Sequence, residues 1–460
     1  MEALIPKYFE NKRIAVLGYG LEGRSSCRQI LKFLPDAQLI ICDSNAKLRN
    51  ILSGENHPVN TRYFLGEDYL SGLEEADVII KTPGISYKLI QHIPRERFVT
   101  QTGLFLEAYR DQVVGITGTK GKSTTASLLH HILHTAGRNT ILAGNIGTPV
   151  FDVLDQIGRD TVVVVEMSSH QLEYTGISPH IAVLLNVFKE HLDHYAAFED
   201  YLEAKLNIVR WQSRDDCLFF HQRDVPVPVG QINEESRQFS IGDTCGRSGA
   251  LLYDGDAVVF DQINTCLPLP GVFSKSVLRG AHNKVNIAAA AGVSALLGVK
   301  AGDIVQGVAD FRGLPHRLEY IGTYHGVHYY NDSIATIPEA CMEALKALPE
   351  TATLILGGFD RGLDYRELMQ FLAASNVQNL LFTGDAGARM HAMTAGEEGF
   401  SGKNCLPASG FDEAVQLACR HTPAGKACLL SPAAASYDAF SDFRERGERF
   451  STLVRQYNPD

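Results

Sequence analysis

Residues 115–133 read GITGTKGKSTTASLLHHIL: Gly118 and Gly121 frame Thr119 and Lys120, and Lys122, Ser123 and Thr124 follow at once. Residue types at this spacing can hold phosphate, because backbone N–H groups of a glycine-rich turn and of a helix N-terminus face anionic oxygens. Lys122 would bring charge to the β- and γ-phosphates, and the Ser123 hydroxyl would reach Mg²⁺. The strict pattern wants a glycine five residues before Gly121, where Ile116 stands, so the turn begins at Gly118.

Other residues bear on the same chemistry. Glu166 ends the run VVVVE, where a carboxylate can hold a cation bound to phosphates. NVFKEHLDHY supplies His191, Asp193 and His194. Two histidines at i and i+3 suggest zinc, but without further ligand spacing a place for His191 beside a magnesium–phosphate site is the better reading. His282, Asn283 and Asn286 open an alanine-rich helix, either as caps or as ligands. Arg317 and Asp332 place a cation and a carboxylate in a later block, where the cation could stabilise phosphoryl charge. GYGLEG, Gly18 to Gly23, follows RIAVL with Asp43 about 20 residues on, the spacing of a dinucleotide fingerprint. A tight strand–helix turn without a ligand is the plainer alternative.

These residues need strands to carry them. RIAVLGYG, QLIICDS, DVIIKTPG, VVGITGTKG, TVVVVEMSS, IAVLLNVF, TLILGG and NLLFTGD are short apolar runs separated by helix-like segments. Such runs read as buried parallel strands, and the fold class is α/β. Residues 212–275, with short strands and turns, read as an antiparallel excursion. A chain of 460 residues exceeds a single core. Three domains are expected: 1–102, Rossmann-like; 103–312, P-loop ATPase-like with a parallel sheet plus the small excursion; and 313–460, again Rossmann-like. A net charge of -11 argues against nucleic acid as partner. Nine scattered cysteines without a Cys-x-x-Cys pair suit a reducing cytosol. The N-terminus lacks signal-peptide order, and no apolar run approaches the roughly 20 residues of a membrane span. A cytoplasmic protein is expected, and nothing demands more than a monomer.

The ordered set GITGTKGKST, AGNIGTP, EMSSHQLE, NVFKEHLDHY, YLEAKLNI, AHNKVNIAAA, GLPHRLE, NDSIAT, GGFDRG and LLSPAAASYDAFSDFRERG resembles the Mur ligase family of ATP-dependent amide ligases along essentially the whole chain. The resemblance implies addition of D-glutamate to UDP-N-acetylmuramoyl-L-alanine through an acyl phosphate, in peptidoglycan precursor synthesis. L-glutamate addition, or another ligase of the folylpolyglutamate type, is the alternative. A dinucleotide oxidoreductase would leave the phosphate loop, Glu166 and Lys205 unexplained.

Residue by residue, the resemblance implies ATP contacts for Gly118, Thr119, Lys120, Gly121, Lys122, Ser123, Thr124, Asn283, Asn286, Arg317 and Asp332. Two Mg²⁺ ions are implied, with Ser123, Glu166, His191 and Lys205 as ligands and Lys205 carbamylated. The resemblance implies a catalytic group of Lys122, His191, Lys205 and Arg317. The sugar nucleotide falls to Gly18, Gly20, Leu21, Glu22, Asp43, Ser44, Gly84, Asn145, Ser168 and His191, and glutamate to Thr336, Arg361, Ser436 and Phe443. Three positions depart from the family pattern. Lys120 replaces an asparagine, Glu22 stands where a threonine often meets the diphosphate, and Ile334 replaces the lysine of NDSKAT.

Overall fold

The protein is described by a computed structural model that covers residues 1–460 apart from 2, 53, 56, 192–193, 196, 222, 227–234, 243–249, 255–256, 262–266, 279 and 459–460. Asp193 therefore lies outside the described residues, as does part of the 212–275 excursion. Met1–Lys275 with His282–Ala309 forms one compact unit, and Ser276–Ala281 with Asp310–Asp460 a second. Among the described residues the strands gather into three sheets, which bears out the α/β class.

The first unit opens with β1 (Arg13–Leu17), β2 (Gln38–Asp43), β3 (Arg62–Leu65), β4 (Val78–Lys81) and β5 (Phe98–Val99). They pair in parallel in the order β3-β2-β1-β4-β5. The strand order reverses between β1 and β4, and ligands of such sheets bind outside the carboxyl ends at that point. Two glycines make the crevice possible. Gly18 has φ +89°, and a Cβ there would lie 2.1 Å from Thr82 Oγ1. A Cβ on Gly23 would lie 2.1 Å from the Gly18 carbonyl oxygen, so the helix Leu21–Phe33 can close on the turn only with glycine.

The same unit continues with β6 (Val113–Thr117), β7 (Thr140–Gly144), β8 (Val162–Glu166), β9 (Ile181–Leu184), β10 (Cys217–His221), β11 (Arg237–Gly242), β12 (Ala250–Asp254) and β13 (Ala257–Asp261). Their order is β13-β12-β11-β10-β9-β6-β8-β7. All five residues of β6 are buried between β8 and β9, as a central parallel strand with both faces covered requires. Here the expectation for 212–275 needs correction. β10 and β11 extend the parallel sheet, and β11 pairs in parallel with β12; among the described residues only β12 and β13 run antiparallel. Residues 185–216 separate β9 from β10, a length that suits the crossover parallel neighbours require.

The second unit carries β14 (Glu319–Tyr324), β15 (Val327–Asn331), β16 (Thr351–Gly357), β17 (Asn379–Thr383), β18 (Asn404–Pro407) and β19 (Ala427–Leu430) in the order β14-β15-β19-β16-β17-β18. A single antiparallel hairpin, β14–β15, edges an otherwise parallel sheet. β16 is buried along its whole length and leads into Gly357 and Gly358, both at positive φ.

Candidate functional site

The phosphate-type loop leaves β6 at Thr117 and enters the helix Lys122–Thr135, with Gly121 at its N-cap at φ +85°. A hydrogen-bonded clasp fixes its shape. Thr119 N–H donates to the Asn186 carbonyl at 2.9 Å, and its hydroxyl accepts from Phe188 N–H at 2.9 Å while meeting Tyr201 Oη at 2.8 Å. The Asn186 side chain accepts from Lys120 N–H at 2.8 Å and donates to the Lys120 carbonyl at 3.1 Å. Helix Ala281–Leu296 reaches the same loop: Asn286 Oδ1 would lie 2.4 Å from a Cβ on Gly121, and Asn286 Nδ2 donates to Asn283 Oδ1 at 2.9 Å. Lys120, the extra cation, pairs with Glu190 at 2.6 Å.

Glu166 lies beside this loop, because β8 pairs with β6 and sets Glu166 against Ile116. The side chain is buried. Asn145 Nδ2 donates to Oε1 at 2.8 Å, and Oε2 finds no hydrogen-bond partner among the described residues. Lys205, 1% exposed, sends Nζ to the Gly118 carbonyl at 2.9 Å and lies 4.8 Å from the Tyr201 ring centroid. Burial first, and then the charge of Lys122, pulls the Lys205 pKa well below the usual lysine range. His191 adopts φ +58°, a left-handed backbone conformation uncommon for a non-glycine residue. Its ring stands 5.9 Å from that of Tyr201. A buried carboxylate oxygen without a donor among the described residues, beside a lysine whose charged form burial disfavours, fits a divalent cation; His191 is brought to the Tyr201 and His170 rings and to Glu190.

The sugar-nucleotide candidates divide. Asp43 accepts two backbone N–H groups, from Tyr19 at 2.7 Å and Asn45 at 2.8 Å, so it shapes the turn as well as facing the crevice end of β2. Glu22 turns to Gln171, whose Nε2 donates to it, and burial raises its pKa. That orientation accounts for an acid at a position expected to meet diphosphate. Ser168 caps the short helix Ser169–Leu172 in a reciprocal box with Gln171. Leu21, Ser44 and Gly84 are exposed around the crevice. His191 and His194 both pack against the His170 ring, with centroids 5.1 and 4.0 Å away, and His194 Nε2 also lies 3.4 Å from Glu173.

In the second unit, Arg317 is exposed between His316 at φ +63° and Leu318 at φ +42°. Asp332 is buried, accepts from Ser431 Oγ at 2.8 Å and from Leu318 N–H at 3.1 Å, and burial pushes its pKa up to about 7. Arg361 donates to the Thr336 carbonyl at 2.7 Å. Ser436 is buried, and Phe443 opens the helix Phe443–Tyr457. Sequence reasoning passed over Arg446. Its guanidinium, 2% exposed, donates to Ser333 Oγ at 3.0 Å and to the carbonyls of Ser333, Ala434 and Ala435 at 2.8, 3.0 and 3.1 Å. One side chain thus ties the NDSIAT segment to SPAAAS. The available signal was an arginine on the apolar stripe of a helix, in line with Phe450 and Leu453.

Residues 116–294 match the family model for the Mur ligase middle domain, and residues 316–434 that for the Mur ligase, glutamate ligase domain. The chain is 35% identical over 457 residues to the UDP-N-acetylmuramoylalanine--D-glutamate ligase of Symbiobacterium thermophilum, covering 96% of this chain and 98% of that protein. It is 32% identical over 461 residues to the UDP-N-acetylmuramoyl-L-alanine--L-glutamate ligase of Xanthomonas campestris pv. campestris, covering 97% and 95%. Among solved structures, the UDP-N-acetylmuramate-alanine ligase MurC of Thermotoga maritima shares the fold, with TM-score 0.54, 16% identity, and coverage of 97% of this chain and 100% of that one.

Arg446→Ala strands buried carbonyls without a donor and is expected to destabilise the second unit by about 3 kcal/mol. Arg446→Lys, lacking the planar fork, should recover only part of this. Scanning calorimetry checks both, and an unchanged melting temperature for Arg446→Ala would contradict the tether.

Proposed function

The chain belongs to the Mur ligase family, and we propose that it joins D-glutamate to UDP-N-acetylmuramoyl-L-alanine with cleavage of ATP to ADP and phosphate, a step of peptidoglycan precursor synthesis. One observation carries this reading: a clasped phosphate loop stands against a buried Glu166 oxygen without a donor and a lysine displaced toward its neutral form.

A carboxylate is a poor electrophile. Its oxygen attacks the γ-phosphorus of ATP, ADP leaves, and the acyl phosphate that forms has a good leaving group. The glutamate amine then attacks the acyl carbon, a proton is lost from nitrogen, and the tetrahedral intermediate expels phosphate to leave the amide. The chain's part is to position the reactants and stabilise charge. Lys122 and the amides from Gly118 to Thr124 hold phosphate oxygens, and Asn283, Asn286, Arg317 and Asp332 hold the rest of ATP. Ser123, Glu166, His191 and a carbamylated Lys205 would hold two Mg²⁺ ions, which when bound neutralise phosphate charge. An ammonium at Lys205 would repel such ions. The neutral amine, favoured by burial and by Lys122, is the form that can add CO₂. Arg361 is the countercharge for glutamate, with Thr336, Ser436 and the Phe443 amide beside it. Residues 1–102 carry the uridine nucleotide, 103–312 ATP and 313–460 the amino acid, in a cytoplasmic monomer acting on small molecules, not nucleic acid or membrane.

L-glutamate is the second reading. Ile334 removes a lysine near the amino-acid residues, and the L-glutamate ligase of X. campestris is nearly as similar as the D-glutamate ligase of S. thermophilum.

Phosphate release from ATP tests both. It should require UDP-N-acetylmuramoyl-L-alanine and glutamate together and be faster with the D enantiomer. Release without the muramoyl nucleotide would overturn ligation, whereas preference for L-glutamate would overturn only the stereochemistry. Lys205→Ala should lose activity and regain part of it with added short carboxylates; full activity without them would dismiss the carbamate.

A further inference from the structure

A buried group of charges lies between the crevice of the first sheet and the loop that carries His191, and the reaction above does not use it. Lys81, the last residue of β4, is 2% exposed. Its Nζ stands 3.3 Å from Glu173 Oε2, 3.5 Å from the Thr82 carbonyl it donates to, and 5.1 Å from the Tyr174 ring centroid. The second oxygen of Glu173 lies 3.4 Å from His194 Nε2, and the His194 ring lies against that of His170 with centroids 4.0 Å apart. From the same short helix Gln171 reaches Glu22 in the glycine turn. Gln101 fastens that turn from the other side, donating to the Glu22 carbonyl at 3.3 Å and to Ser26 Oγ at 3.1 Å. The pair therefore sits where four segments meet: Gly18–Gly23, Thr82–Gly84, Ser168–Leu172 and the stretch ending at Tyr195. Each of these contains a residue assigned above to the sugar nucleotide.

Stability does not explain such a pair. Desolvating an ammonium and a carboxylate costs about as much as their attraction returns, and apolar side chains of similar volume stabilise as well or better. What an ion pair adds is a fixed distance and direction between the segments that bear it. Lys81 cannot itself reach a ligand, because its side chain is enclosed by Tyr174, Glu173 and the Thr82 backbone, with Arg95 on the same Tyr174 ring at 4.2 Å.

We propose that Lys81 and Glu173 are positioning residues: their pair locks the Thr82–Gly84 loop of the crevice to the loop of His191 and His194, and so sets the affinity for the UDP-muramoyl substrate without touching it. This rests on the ligase reading.

The test compares Lys81→Met, Glu173→Gln and the double variant Lys81→Met/Glu173→Leu with the wild type. UDP-N-acetylmuramoyl-L-alanine and ADP are titrated separately by calorimetry, and melting temperatures are recorded. Each variant should bind the muramoyl nucleotide about tenfold more weakly and ADP within about twofold of wild type. The double variant should melt no lower than wild type. Unchanged muramoyl affinity in the double variant would overturn the proposal, as would equal losses for both ligands with a lowered melting temperature. A wild-type chain that does not bind the muramoyl nucleotide at all would overturn the ligase reading itself, which separates the two failures.

Discussion

Two lysines donate to one carbonyl oxygen. Lys122 and Lys205 each place Nζ 2.9 Å from the oxygen of Gly118, in a site where Lys205 is 1% exposed. Two ammonium groups that share an acceptor repel each other, and the cost falls most on the less solvated one. The rest of the site follows from that constraint. Lys122 stands at the head of the helix Lys122–Thr135, with Nζ also donating to the Thr119 carbonyl at 2.9 Å. Burial and the neighbouring Lys122 charge both disfavour the charged form of Lys205, which weakens its opposition to a divalent ion beside Glu166.

The fold exists to keep that arrangement in place. β6 is held on both sides by parallel neighbours, so its carboxyl end cannot shift relative to Glu166 at the end of β8 or to Leu184 at the end of β9. The chain leaving β9 supplies Asn186 and Phe188, which clasp Thr119 and Lys120, and then Glu190 and His191. In the second unit one buried guanidinium plays the corresponding part, since Arg446 fastens the segment NDSIAT to SPAAAS. Burial lowers its pKa to about 10, which leaves it charged at neutral pH and able to satisfy all four acceptors.

Much of this was legible in the chain because it is local. Runs such as VVGIT, VVVVE and IAVLL declare buried parallel strands, and the turn after VVGIT declares a phosphate loop by its glycines and its lysine. What escaped is set by partners distant in sequence. The 212–275 segment looks antiparallel because its strands are short, yet pairing direction depends on how each connection returns, and β10 and β11 return in parallel. Lys81 and Arg446, both 2% exposed, are enclosed by partners from distant segments. Glu22 looked misplaced against a diphosphate, but its partner, Gln171, is 149 residues away. The partner of Lys120, Glu190, likewise lies in the distant clasping segment.

The central claim is that the γ-phosphoryl group passes to a carboxylate rather than to water. Oxygen-18 in both carboxylate oxygens of UDP-N-acetylmuramoyl-L-alanine tests it most directly. The account predicts that the phosphate released with each amide formed carries a single labelled oxygen, while the other stays in the amide carbonyl. Phosphate free of label, released at the rate of amide formation, would contradict it.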